Sequence, residues 1–283
     1  MTNALREQVV ESPHTWLRHL CSPHHPGSAL YPFIVQLERA AGFLTTDSDS
    51  AKVGKLQDLL SCGTAPADTE MISVLAALLS IEILGHFEPL VLSPVVLKAK
   101  TFAARVSQFA TLAADAPLLW VFEDVHWADP TSRELLAQII DELHDLRILA
   151  VITARPEFQP SWGGIAQVSE LPLGRLPKDQ SRALISNLAG GKVLPEVVLE
   201  QIIGKTNGVP LFVEELTRTA LESDLLVGYA DRYKLVGQLD LVAIPSTLQD
   251  SLMARLDRLG DAKRVAQTAQ RSVVSSRAIY CSR

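Results

Sequence analysis

Cysteine is nearly missing from this sequence. Cys21, Cys62 and Cys281 are the only three, odd in number and without a C-x-x-C pair, which argues against a disulfide framework and a zinc knuckle and fits a reducing cytosol. Charge of one sign is lacking as well. The 26 basic and 32 acidic side chains leave a net charge of -6, and no long run of either sign supplies a nucleic-acid groove or a polybasic membrane patch. The amino end, MTNALREQVVESPHTW, has no apolar signal-peptide core, and the most apolar window, 71–97, is interrupted by Glu82, Gly85, His86, Glu88 and two prolines. Neither export nor a membrane span is expected. Internal repeats and low-complexity tracts are absent too.

Apolar side chains are plentiful. At 47% of 283 residues they are enough to bury a real core in one large domain or two ordinary ones. TWLRHLC (15–21) reads as a strand stopped by the turn-rich SPHHPGS, and apolar positions within 30–60, 70–84 and 96–114 recur at helical spacing. LLWVF (118–122) is a continuous apolar run of the kind that a parallel strand covered on both faces requires. Asp129-Pro130 then supplies a helix cap and a first-turn proline, and RILAVIT (147–153) a second strand, so strand, helix and strand call for a crossover in a parallel sheet. A further strand is expected over 168–173, and helices over 177–189 and 195–205, the latter stopped by Asn207-Gly208. Pro210 opens another helix, 225–236 alternates like a hairpin, and Ser246-x-x-Gln249 is a capping box before Leu252, Leu256 and Leu259.

The apolar run at 118–122 ends in Glu123-Asp124. Carboxylates at the end of a buried strand are how P-loop NTPases hold Mg²⁺ and polarise an attacking water, although such a pair can also serve only to cap the next helix. The phosphate-binding partner of that arrangement, G-x-x-x-x-G-K-[S/T], occurs nowhere. Gly54-Lys55 and Gly191-Lys192 are followed by Leu56 and Val193, and Gly204-Lys205-Thr206 has Leu199 where the first glycine belongs and sits at a helix end.

EDVHWADPTS (123–132) resembles the Walker B region of STAND ATPases, the AAA-like P-loop modules attached to class III adenylate and guanylate cyclases, soluble adenylyl cyclases among them, and to LuxR-type regulators. HTWLRHLCSPHHPGSALYPFI (14–34), PLVLSP (89–94), ITARPE (152–157), NGVPLFVEEL (207–216) and IPSTLQDSLMARLDRL (244–259) are similar to successive blocks of the same proteins. The resemblance runs over roughly 12–268. It implies an α/β fold: an incomplete P-loop NTPase core with a three-layer parallel sheet over 1–174, followed by a helical subdomain with one β-hairpin over 175–270; the residues over 271–283 lose helical periodicity and are expected to be a frayed tail. It also implies ATP or ADP with Mg²⁺ as ligands. Glu123 then stands where the family's metal-ligating acid lies and Asp124 where its water-activating acid lies. Arg155 resembles the sensor of the terminal phosphate, and Pro210 the G-x-P proline near the base.

In the family the first strand and phosphate loop would precede residue 1, which points to a truncated or frame-altered product with impaired nucleotide binding. Each site residue also has a bland reading. Arg155 before Pro156 reads as a solvated loop arginine, Pro210 as a helix starter, and His126 and Trp127 as packing residues at a helix entry. His14, His19, Cys21, His24 and His25 are dense, but their spacing fits no common zinc pattern. Two functions follow: a cytoplasmic ATP-binding regulatory module linked to signalling domains, compatible with oligomers and without nucleic acid or membrane partners, or a non-catalytic interaction fragment that binds no nucleotide. A DNA-handling ATPase of Orc1 type would need a basic face, against which the acidic balance speaks.

Overall fold

The computed structural model describes residues 13–61, 68–83, 90–142, 145–162, 167–223 and 226–236, with the single positions 5, 87 and 165. The capping box at 246–249, the helix after it and the tail lie outside the described residues. The chain divides into two compact units, Met1–Glu170 and Leu171–Arg283.

The first unit is built on three parallel strands in the order β1-β2-β3: β1 Thr15–Leu20, β2 Leu118–Glu123 and β3 Ile148–Ile152. β2 is central and is apolar up to its last residue, Glu123. Leu118, Leu119, Trp120, Val121 and Phe122 are all buried, as a strand flanked by two others and covered on its faces must be. Among the described residues, β1 and β2 are joined through four helices: α1 Tyr31–Ala40, α2 Asp49–Leu60, α3 Thr69–Leu78 and α4 Pro94–Asp115. Ser48, Asp68 and Ser93 cap the last three through side-chain oxygens that accept first-turn N–H groups, which satisfies donors that the helix itself cannot. β2 and β3 are joined by α5, Pro130–Glu142. There Asp129 Oδ1 accepts the Ser132 N–H at 3.0 Å, the cap expected from Asp129-Pro130.

One face of the sheet packs an aromatic core. His19, Phe33, Phe109, Trp120 and Phe122 lie with ring centroids 4.7 to 6.1 Å apart, and Leu135, Leu136 and Ile139 of α5 belong to the same cluster. A second cluster, with Leu37, Val53, Leu56, Ile72 and Leu75, joins α1, α2 and α3. Arg105 of α4 is fully buried. Its guanidinium lies 5.5 and 5.6 Å from the centroids of Phe33 and Phe109, and Nη2 donates to Gln36 Oε1 at 2.8 Å. Burial pulls its pKa down to about 9, which leaves it charged at neutral pH.

The second unit packs α6 Lys178–Leu188, α7 Glu196–Thr206 and α8 Pro210–Leu221 around Ile185, Val198, Ile202, Val213 and Leu216. A short antiparallel hairpin, β4 Leu226–Gly228 with β5 Tyr233–Leu235, completes it. The strand expected over 168–173 does not form. Pro172 has no N–H to give a ladder, Leu171 and Leu173 are exposed, and no described strand pairs with the segment.

Candidate functional site

The carboxyl ends of all three strands meet around the acidic pair. Past β1, the Cys21 N–H donates to the Glu123 carbonyl at 3.0 Å. Past β3, the Thr153 N–H donates to the Phe122 carbonyl and the Val125 N–H to the Thr153 carbonyl, both at 3.0 Å. The Thr153 hydroxyl takes the Asp124 N–H at 2.9 Å. Asp124 is thereby pinned at φ 58°, ψ 43°, in the left-handed region. Aspartate tolerates that region better than most residues, at a cost of about 1 kcal/mol. Local strain of this kind gathers at functional sites, and here it turns the chain out of β2 so that Asp124 is exposed.

Glu123 is held differently. Its side chain is 14% exposed and pairs with Arg18 of β1, whose Nε donates to Oε2 at 2.8 Å while Nη2 reaches the same oxygen. The 3-10 turn Val125–Trp127 follows at once. Arg155, in the loop after β3, lies over the Trp127 ring at 5.1 Å, so the proposed sensor is brought onto the turn that leaves the acidic pair. His126 keeps both ring nitrogens buried without a hydrogen-bond partner and lies 5.0 Å from Trp127, a packing role as the bland reading has it.

Glu123, Asp124 and Arg155 thus converge at one end of one sheet. Pro210 belongs to the second unit, where it opens α8 behind Val209. The preceding Gly208 has φ 71°, and a Cβ there would collide with the Leu176 carbonyl; the Leu176 N–H donates to the Gly208 carbonyl at 2.7 Å. Only glycine fits that crossing. Gly204-Lys205-Thr206 closes α7, and Thr206 Oγ donates back to the Ile203 carbonyl. A helix carboxyl end presents carbonyls rather than N–H groups, so these three residues make no phosphate cradle.

Residue by residue, the sequence reading missed three contributors. Arg18 and Thr153 reach the acidic pair only through strand register. Cys21 lies near it as well: its thiol is pushed up to about 12 by burial and then by the charges of Asp124 and Asp129, which makes it an inert packing group. Thr153 stands in ITARPE beside Arg155, a signal that could have drawn it in; Arg18 offered none.

The AAA ATPase domain family matches residues 1–152, more than half of the 283 residues. The chain belongs to the AAA ATPase domain family. The match takes in all three strands and both acids of the pair, and ends just short of Arg155. This AAA module is also similar to "Uncharacterized protein R02095" of Rhizobium meliloti (strain 1021), at 30% identity over 190 residues, 62% of this chain and 17% of that protein. The module therefore matches less than a fifth of that relative's length. No solved structure matches the chain.

The family implies a nucleotide and, with it, magnesium. Two carboxylates at a strand end are hard oxygen donors of the kind Mg²⁺ takes in ones and twos beside water and phosphate, so Glu123 and Asp124 fit the ion. Among the described residues, no cluster of three or more metal-ligating side chains competes with them. No described helix is long and apolar enough to cross a membrane.

Proposed function

We propose that this chain is the regulatory nucleotide-binding module of a signalling protein, of the kind that adenylate cyclases or transcriptional regulators carry, in which the acidic half of the nucleotide site is retained. What carries the reading is the end of β2: a buried strand delivers Glu123 and Asp124 to one place, with the Asp124 backbone pinned by Thr153. In this reading Glu123 would hold Mg²⁺, Asp124 would orient the attacking water and Arg155 would meet the terminal phosphate. A bound magnesium ion supplies charge neutralisation at the phosphates. Nucleotide state would be passed on as a change in domain arrangement.

Binding is weak in this reading because the sequence offers no phosphate loop. Charge-assisted hydrogen bonds contribute about 1.5–3 kcal/mol each, so lacking three costs roughly 5 kcal/mol, on the order of a 10³-fold loss of affinity. Calorimetric titration with Mg-ATP and Mg-ADP tests this. The expected result is a dissociation constant on the order of 1 mM, a regime equivalent to about 4 kcal/mol, weakened further by Asp124→Ala or Arg155→Ala. Micromolar binding would remove the impairment. Complete absence of binding in a folded sample would favour the second reading, an interaction module without nucleotide, for which the Arg18 ion pair on Glu123 speaks.

A further inference from the structure

Charge balance at the acidic pair depends on a residue outside it. β1 and β2 run parallel with Leu20 opposite Glu123 and Arg18 opposite Val121. Side chains alternate along a strand, so Arg18, Leu20 and Glu123 share one face of the sheet, and the long arginine stem spans the two-residue offset. Both guanidinium donors converge on Oε2, one at 2.8 Å. The two partners are unequally held. Glu123 is 14% exposed, whereas Arg18 reaches in from solvent and is 44% exposed.

We propose that Arg18 is the displaceable counter-ion of Glu123, and that a divalent cation gains this carboxylate only as the guanidinium leaves. The inference rests on the metal-holding reading of Glu123 and Asp124 given above. With Arg18 in place the Glu123 charge is cancelled and Asp124 alone offers a net negative charge. A cation held by the Glu123 carboxylate would face the guanidinium at close range, where like charges repel strongly. Release is the easier motion for Arg18: an ion pair whose arginine stands in solvent is worth on the order of 1 kcal/mol, and water is at hand to take the freed guanidinium. Arg18 is thus a residue that sets the metal affinity of the pair and is itself no ligand.

Titration of the full chain with Mn²⁺, read from the electron paramagnetic resonance of the free ion, separates the outcomes. Arg18→Gln should tighten Mn²⁺ binding about fivefold, equal to about 1 kcal/mol. Arg18→Lys, which keeps the charge, should stay near the wild type, and Glu123→Gln should abolish the gain in the Arg18→Gln background. Near-ultraviolet circular dichroism of the core tryptophans shows that each variant is folded. Affinity unchanged or weakened by Arg18→Gln overturns the counter-ion role and leaves the acidic site standing. No Mn²⁺ binding at millimolar concentration by either the wild type or Arg18→Gln overturns the metal-holding reading, and the counter-ion role with it.

Discussion

His19 sits in a setting far from its ordinary chemistry. It is fully buried among Phe33, Phe109, Trp120 and Phe122. The Trp120 indole N–H donates to its Nδ1 at 3.0 Å, which puts the ring proton on Nε2. Burial, and then the charge of Arg105, hold its pKa well below the usual histidine value. The folded state therefore keeps His19 neutral while the unfolded chain takes up a proton below about pH 6.5. Stability contributed by the neutral ring is full above that pH and falls as pH drops through the window beneath it, by about 1.4 kcal/mol per pH unit for one proton. Urea unfolding at a series of acidic pH values should show this slope, and His19→Phe should flatten it; an unchanged slope would mean that other groups dominate acid unfolding. Gly208 allows a second prediction at this scale. Gly208→Ala adds left-handed strain and a collision with the Leu176 carbonyl, together on the order of 2 kcal/mol. Chemical denaturation followed by far-ultraviolet circular dichroism measures the loss, and a neutral effect would show that the crossing at Leu176 relaxes freely.

Among the elements, the strand ends matter most. Thr153 ties the end of β3 to the turn out of β2 through its hydroxyl and both backbone groups. Thr153→Val removes only the hydroxyl acceptor, and because Asp124 is exposed, water can replace part of it. The expected cost is at the low end for a hydrogen bond, about 0.5–1 kcal/mol, with Thr153→Ser restoring it. Equal stability of the valine and serine variants in urea titrations would show that the backbone bonds alone set the turn. β3 carries a different liability. Its residues are apolar from Ile148 to Ile152, Leu149 is 55% exposed, and no described strand pairs with its outer edge. Edges of that kind invite pairing between chains. Leu149→Lys should cost under about 0.5 kcal/mol and lower the aggregate content seen by light scattering; increased aggregation would place the sticky surface elsewhere.

Across the whole molecule, stability is unevenly spread. β2 is flanked on both sides and buried at five of its six residues, whereas β4 and β5 have three residues each and, among the described residues, pair with one another and with the single residue Val193. Opening free energies follow burial and pairing. Hydrogen exchange followed by mass spectrometry should find the amides of Leu119–Phe122 among the slowest and those of β4 and β5 among the fastest. Comparable protection in both places would mean that the bonds to Val193 hold the hairpin as firmly as the sheet holds β2.

Much of the architecture was legible before any coordinates, because local physics dictates it. An unbroken five-residue apolar run suits an inner parallel strand, Asp129-Pro130 suits a helix start, and Asn207-Gly208 supplies the positive φ at which α7 stops. The 168–173 segment misled because its apolar residues are a local property, while a strand needs a partner with an open edge, which is a property of the sheet. The acidic pair was visible as Glu123-Asp124, and its family blocks drew in Arg155 and Pro210. Sequence by itself thus determined the elements and the presence of acids at the end of β2. Tertiary structure alone decided that Arg18 sits on Glu123, that Thr153 pins Asp124 and that His19 is sealed against Trp120, because these pairs are 105, 29 and 101 residues apart and only strand register brings them together.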